Sequence, residues 1–360
     1  MPPGNRTQTI VFLGAGASQC CGIPTSKELT NRILQLPESK GELHRLKRKF
    51  RANSVEFNTE TLLAYLGASS NRKAQFNEVG PILLGLLKGN SGFALRSVLR
   101  HKTLMSHVKA EIRNQCYVRI KQTSVKFRLK ELMRPYDFFL RRLAQNKRFG
   151  LSAELRAWPH GKRIYPNLEF FTTNYDDVLE TFFDQVHIPT TDGYHETMVP
   201  PGKGDEVTYL FDESEFDDSS NVRIYKIYGS IRYARYKSSI VRIEPSVWLY
   251  ASGQRMIGDL LIYPGATKIV WNEPQLQLFY RLHRRLSDRN TSYCIVIGYS
   301  FGDRAIADVF LDALRLNPSL KIFVVGPEAK ATVRKIFGKC TSVKGISKAF
   351  EKLDPARDLR

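Results

Sequence analysis

The chain has 360 residues, of which 42% are hydrophobic, so it can bury the core of one large domain or of two moderate ones. The sequence has no run near the ~18 apolar residues of a membrane span, and its five cysteines include no C-x-x-C pair, so we expect a cytoplasmic protein without a disulfide framework or bound metal. A formal charge of +20 favours polyanions, acidic protein faces or phosphorylated small molecules as partners.

Five apolar runs of strand length lie along the chain. They are TIVFLG at 9–14, LEFFTTN at 168–174, VRIYKIYG at 222–229, YCIVIGYS at 293–300 and LKIFVVG at 320–326. Nearly continuous hydrophobicity is typical of parallel strands buried on both faces. Helical periodicity follows two of the runs, in DDVLETFFDQV and DRAIADVFLDALRL. The sequence therefore predicts an α/β fold, a Rossmann-like doubly wound parallel sheet.

One long interval interrupts this alternation. Residues 36–164 carry few strand signals and many helical ones, such as GPILLGLLKG and YDFFLRRLAQNKRF, and are too long for a plain loop. We predict a helical, strongly basic insertion there, with residues 1–35 and 165–360 forming the α/β domain. A second irregular interval, Thr190 to Ser220, is expected to be a loop over the sheet edge.

Positive charge is concentrated in the predicted insertion. Between Arg96 and Gly150 there are fifteen Lys and Arg residues against three acidic ones, a net charge of +12. Such a segment can form a nucleic-acid-binding face, a solvated helix surface or a subunit contact.

The first predicted strand ends in a glycine-rich turn, LGAGASQCCGIPTSKEL. Gly14 and Gly16 lack the Cβ atoms that would hold a backbone away from a phosphate, and the hydroxyl of Ser18 can donate to one. A following helix would point its N-terminus at the anion. The alternative is a tight strand-to-helix turn without a ligand.

Four separated motifs carry a family resemblance. GAGAS with GIP, then TTNYDDVLE, KIYGS and GYSFGD, in that order, resemble the sirtuin-like (SIR2-like) NAD-cleaving effectors of prokaryotic antiviral defence. The resemblance covers about residues 5–35 and 165–330. It implies NAD as substrate or ligand, a homo-oligomer, and a HerA-type ATPase as partner.

The resemblance also assigns ligand contacts. It implies that the NAD pyrophosphate is held by Gly14, Ala15, Gly16 and Ser18. It places Thr25 near the nicotinamide ribose, Gly298 and Ser300 at the adenosine ribose, and Asp303 at the start of the helix behind them. Where a sirtuin often has Asn after the last strand, this chain has Gly326 and Pro327.

The predicted catalytic residues are Asn174, Asp176 and Tyr228. Asn174 ends a strand at the carboxyl edge of the sheet, where open α/β proteins bind ligands, and an amide can donate to and accept from a ribose hydroxyl. The resemblance places Asn174 at the nicotinamide end of the pocket, with Asp176 beside it. The local alternative is a strand-end turn stabilised by Asn and Asp.

Two departures from protein-deacylating sirtuins favour NAD cleavage without an acyl-lysine substrate. The zinc-binding cysteine pairs of that class are missing, and TSKEL stands where those enzymes have a continuation similar to FRS.

Tyr228 occupies the position at which the family usually has histidine, in K-x-H-G-S. Histidine, with a pKa of about 6.5, accepts a proton at neutral pH, whereas a phenol, with a pKa of about 10, remains a donor. The chain is then a slow or activated NAD hydrolase, a catalytically dead NAD or ADP-ribose binder, or an enzyme disarmed by substitution. A Tyr228 that only packs against the sheet is the structural alternative. His187 and His195 follow the Asn174 helix and are expected to be solvated.

Overall fold

The computed structural model describes residues 8–70, 95–117, 133–149, 168–197, 208–217, 222–236, 239–242, 257–261 and 274–360. Within these residues, seven parallel strands form one sheet in the order β12-β11-β10-β1-β2-β6-β3. They are β1 (Gln8–Leu13), β2 (Leu168–Thr172), β3 (Thr190–Thr191), β6 (Val222–Lys226), β10 (Thr291–Ile297), β11 (Lys321–Val325) and β12 (Val343–Ile346). All five strands predicted from apolar runs are confirmed, and so is the α/β fold.

A smaller antiparallel sheet was not predicted. Its order is β4-β5-β8-β7-β9, with β4 (Tyr194–Thr197), β5 (Thr208–Phe211), β7 (Gly229–Tyr236), β8 (Ser239–Arg242) and β9 (Ile257–Leu261). The prediction of a plain loop over Thr190 to Ser220 is therefore wrong, because β3, β4 and β5 lie in it. These strands have two to four residues each and include polar side chains, so no apolar run marks them.

Helices cover both faces of the parallel sheet. The described helices are α1 (Ala15–Ser18), α2 (Ser26–Ile33), α3 (Lys40–Ala52), α4 (Thr59–Ser70), α5 (Leu95–Cys116), α6 (Arg134–Gln145), α7 (Val178–Gln185), α8 (Gln275–Ser287), α9 (Arg304–Leu316), α10 (Ala329–Phe337) and α11 (Pro355–Asp358). Alternate residues of β1 enter different cores: Val11 packs with α2 to α7, and Phe12 packs with α8 to α10. This is the doubly wound arrangement.

The described part of the interval between β1 and β2 is helical. Helices α3 to α6 share one apolar core with the sheet face that α7 covers. The motif GPILLGLLKG lies outside the described residues, and the division into two domains remains a prediction.

Several basic side chains of α6 and the turn after it are bonded within the chain. Arg141 pairs with Asp137 at 2.8 Å, Arg142 pairs with Asp354 at 2.9 Å, and Arg148 donates to the Tyr293 hydroxyl at 2.8 Å. Part of the positive charge therefore serves local structure. None of the helices in the described ranges is long and apolar enough to cross a membrane.

Candidate functional site

A cavity of about 1610 Å³ lies where the parallel strands end. Its walls include residues within two positions of the ends of β1, β2, β10 and β11, so it occupies the carboxyl edge of the sheet, where doubly wound proteins bind ligands. Nine of the eleven predicted site residues line it: Ala15, Gly16, Thr25, Asn174, Asp176, Tyr228, Gly298, Ser300 and Asp303. Gly14 and Ser18 are not in its lining.

The glycines of the first turn are required by a close backbone contact. A Cβ on Gly14 would lie 2.6 Å from the Gly298 carbonyl oxygen, and a Cβ on Gly16 would lie 2.9 Å from the Gly298 Cα. Gly298 has φ +66°, and a Cβ there would lie 2.2 Å from the Ala17 nitrogen. The sequence predicts that the missing Cβ atoms leave room for a phosphate, but the turn after β10 fills this space.

Backbone donors of the same turn are engaged within the chain. The Gly16 N–H donates to the Gly298 carbonyl at 3.0 Å, and the Ala17 N–H donates to the Gly14 carbonyl at 2.9 Å. Helix α1 has only four residues, and α2 begins after a capping box in which Thr25 and Glu28 satisfy each other's backbone amides. A pyrophosphate contact by this turn remains a prediction.

Asn174 is held by both hydrogens of its amide. Its Nδ2 donates to the Gly14 carbonyl at 3.0 Å and to the Ser18 hydroxyl at 3.0 Å, and 8% of the residue is exposed. Because a carbonyl can only accept, the contact with Gly14 fixes which end of the amide is nitrogen. The Oδ1 atom is therefore the part of Asn174 that can act on a ligand, and it acts as an acceptor.

A buried polar network underlies Asn174, and its long-range members were not predicted. The Lys226 ammonium bonds to the Asp176 backbone oxygen and lies 3.2 Å from the Glu180 carboxylate. Burial raises the pKa of Asp176, while the charge of Lys226 and a hydrogen bond from Ser18 oppose that rise. The Tyr136 hydroxyl donates to the Ala17 carbonyl at 3.0 Å, which ties α6 to the glycine turn.

Tyr228 follows β6 and is 2% exposed. It packs in the apolar core that contains Phe12 and Phe301, yet it also lines the cavity. His187 and His195, both described, are not part of the cavity lining, and His195 lies 3.9 Å from Glu215. The structure brings neither histidine to the position of Tyr228.

The opposite side of the cavity follows β10 and β11 and is more open. Ser300 and Glu328 are exposed there. Asp303 opens α9 as predicted, because its carboxylate accepts from the Ala305 N–H at 3.0 Å. Burial raises the pKa of Asp303 to about 6, against the lowering effect of these backbone bonds. Ser300 is not the cap of that helix.

Within the described part of the chain, no group of three His, Cys, Asp or Glu side chains is arranged to hold a metal. The sulfur atoms of Cys20 and Cys21 lie 3.8 Å apart beside the glycine turn. A hydrogen bond with Cys20, together with burial, raises the pKa of Cys21 far above that of a free thiol, so Cys21 is a weak nucleophile.

The seven-stranded parallel sheet, its two helical layers and the cavity at the strand ends define a doubly wound α/β protein with a cavity at its carboxyl edge. Residues 168–341, just under half of the chain, match the family model of the SIR2-like domain. The match contains Asn174, Asp176, Tyr228 and the turn from Gly298 to Asp303, but not the glycine turn after β1. SIR2-like domains bind NAD, and the observed sheet agrees with that fold. A comparison with curated proteins found no match.

Proposed function

We propose that the chain is an NAD glycohydrolase that converts NAD and water to ADP-ribose and nicotinamide. Its activity is low, or depends on activation by a partner, because Tyr228 stands where a histidine is usual. The observation that carries the proposal is the hydrogen bonding of the Asn174 amide at the cavity wall. Its amide hydrogens are both bonded inward, and it lines the cavity, so its carbonyl oxygen is a pre-positioned acceptor.

The chemistry suits such an acceptor. The glycosidic C–N bond breaks with its electron pair going to nicotinamide, which is already a cationic leaving group in NAD. A water oxygen bonds to the anomeric carbon and loses a proton to solvent. Oδ1 of Asn174 orients this water or a ribose hydroxyl, and the buried network of Ser18, Asp176 and Lys226 holds the amide in place.

Tyr228 determines the expected rate. A phenol is a poor proton acceptor at neutral pH, and general-base help contributes roughly 10²- to 10⁴-fold. Without that help, the cleavage relies on the leaving group and on the positioning by Asn174. The antiviral effector role follows from the same motif resemblance. A HerA-type ATPase or self-assembly into an oligomer would supply the activation.

Nicotinamide release from NAD by purified variants tests the proposal. Tyr228→His should raise turnover by roughly 10- to 1000-fold, and Asn174→Ala in that background should abolish it. Tyr228→Phe identifies the role of the hydroxyl: a fall in activity shows that it orients ribose or water, and no change shows that it packs. If Tyr228→His binds NAD normally and stays inert alone and with a partner, the chain is not a weakened hydrolase.

The second candidate is a non-catalytic NAD- or ADP-ribose-binding module that contacts nucleic acid or a protein through its basic segment. The burial of Tyr228 in the core with Phe12 favours this candidate, since such a side chain has a structural reason to be present. Salt-dependent DNA binding without NAD turnover in any condition would support it.

A further inference from the structure

We infer that Lys27 and Lys47 neutralise the pyrophosphate of NAD, so that the helical segment between β1 and β2 completes the ligand site. This inference rests on the proposed function for its ligand. It assigns the phosphate contacts to two side chains outside the glycine turn.

The first reason is that the turn has few donors left for an anion. The Gly16 N–H donates to Gly298, and the Ala17 N–H donates to Gly14. Ser18 is a buried residue whose hydroxyl accepts from Asn174 and donates to Asp176. A pyrophosphate carries two negative charges, and engaged neutral groups stabilise them less than free amides would. Cationic side chains elsewhere in the cavity would supply the missing stabilisation.

The second reason is the set of cations on the cavity wall. In the described residues these are Lys27 on α2, Lys47 on α3 and Arg304 on α9. Arg304 lies 3.8 Å from Asp308, whereas the exposed ammonium groups of Lys27 and Lys47 have no carboxylate within 4.0 Å among the described side chains. Both lysines can therefore turn to a ligand without breaking an ion pair.

The surrounding charges explain why two lysines are needed. Glu56 and Glu60 line the cavity, as do Asp176, Asp303 and Glu328, and carboxylates repel a phosphate. Lys27 and Lys47 would offset part of this negative charge. Since Lys47 belongs to the helical segment, at least part of that segment's basic character serves the cavity instead of nucleic acid.

Calorimetry with ADP-ribose on the full chain, at low and high salt, tests the assignment without requiring turnover. Lys47→Met and Lys27→Met should each weaken binding by roughly tenfold and reduce its dependence on salt. Arg48→Met is the matched control, because Arg48 is the next residue of α3, is also exposed and does not line the cavity. Glu56→Gln should tighten binding.

The outcomes separate this inference from the proposed function. If the lysine variants bind ADP-ribose as tightly as the unaltered chain and as Arg48→Met, the lysine assignment is overturned, although NAD cleavage can still hold. If they lose binding while no variant ever releases nicotinamide, the lysine assignment stands and the hydrolase proposal fails. Absence of any ADP-ribose binding by the unaltered chain overturns both.

Discussion

The cavity has two unlike sides, divided by β1. On the side of β2 and β6, Asn174, Asp176 and Tyr228 are each at most 8% exposed, and they rest on a bonded network that includes a buried lysine. On the side of β10 and β11, Ser300 and Glu328 are exposed, and Asp303 caps a helix at the margin. One side is buried and fixed by hydrogen bonds, and the other is open.

This difference suggests that the two sides of the cavity have different roles. Pre-positioned polar groups in a buried environment stabilise developing charge better than mobile groups in water, so under the proposed function the β2–β6 side would carry bond cleavage. The open β10–β11 side suits recognition of a bound group that stays in contact with solvent. Substitutions on the two sides should therefore have different costs.

The largest expected effect is on the closed side. Lys226→Met removes the cation 3.2 Å from Glu180 and leaves a buried carboxylate without its charge partner. Removing one member of a buried pair costs about 3–5 kcal/mol, which should appear as a lower free energy of unfolding in urea. The double substitution Lys226→Met with Glu180→Met should recover most of this loss.

Glu328→Gln is the matched change on the open side, since Glu328 is exposed and lines the cavity. It should alter the free energy of unfolding by less than about 0.5 kcal/mol. Equal costs for Lys226→Met and Glu328→Gln would contradict the division into a fixed side and an open side.

The next largest effect on the free energy of unfolding is expected at Gly298, where the backbone of the open side is tightly packed. Gly298→Ala forces a residue with a Cβ into φ +66° and against the Ala17 nitrogen, whereas a Cβ on Gly326 meets no atom within 4 Å. We expect Gly298→Ala to cost on the order of 3 kcal/mol of unfolding free energy and Gly326→Ala to cost little. Thermal melting of the two variants measures the difference, and similar melting temperatures would refute the backbone-contact account of Gly298.

The sequence predicted the parallel sheet because its strands are buried on both faces, and burial of that kind leaves an apolar run such as VRIYK. It also placed Asn174 correctly at a strand end. The antiparallel sheet was missed, because short strands such as β4 and β5 carry mixed polar and apolar side chains and so leave no apolar run in the sequence.

The closed network could not be predicted for a related reason. The Tyr136 hydroxyl meets a carbonyl 119 residues away, and Lys226 meets Glu180 across 46 residues. Local sequence gives no sign that these groups converge. For the glycine turn, the sequence revealed the motif but not the reason for its glycines. The backbone at Gly298 occupies the space that a Cβ on Gly14 or Gly16 would need.

The smallest expected effect concerns the pH dependence of the open side. Because the pKa of Asp303 is raised to about 6 from an ordinary 3.8, the folded state binds its proton more tightly than the unfolded state. Asp303 therefore makes stability fall as pH rises from about 4 to about 6, and Asp303→Asn, which keeps a helix cap, should remove that fall. The gain of Asp303→Asn relative to the unaltered chain should grow by on the order of 1 kcal/mol between pH 4 and pH 7, after allowance for solvent screening. Urea unfolding at the two pH values measures it, with Asp312→Asn on the same helix as the control, since the Asp312 side chain is 49% exposed and is not among the groups that shift the pKa of Asp303. A gain that does not change with pH, or an equal change for Asp312→Asn, would show that burial at the start of α9 does not hold the proton on Asp303.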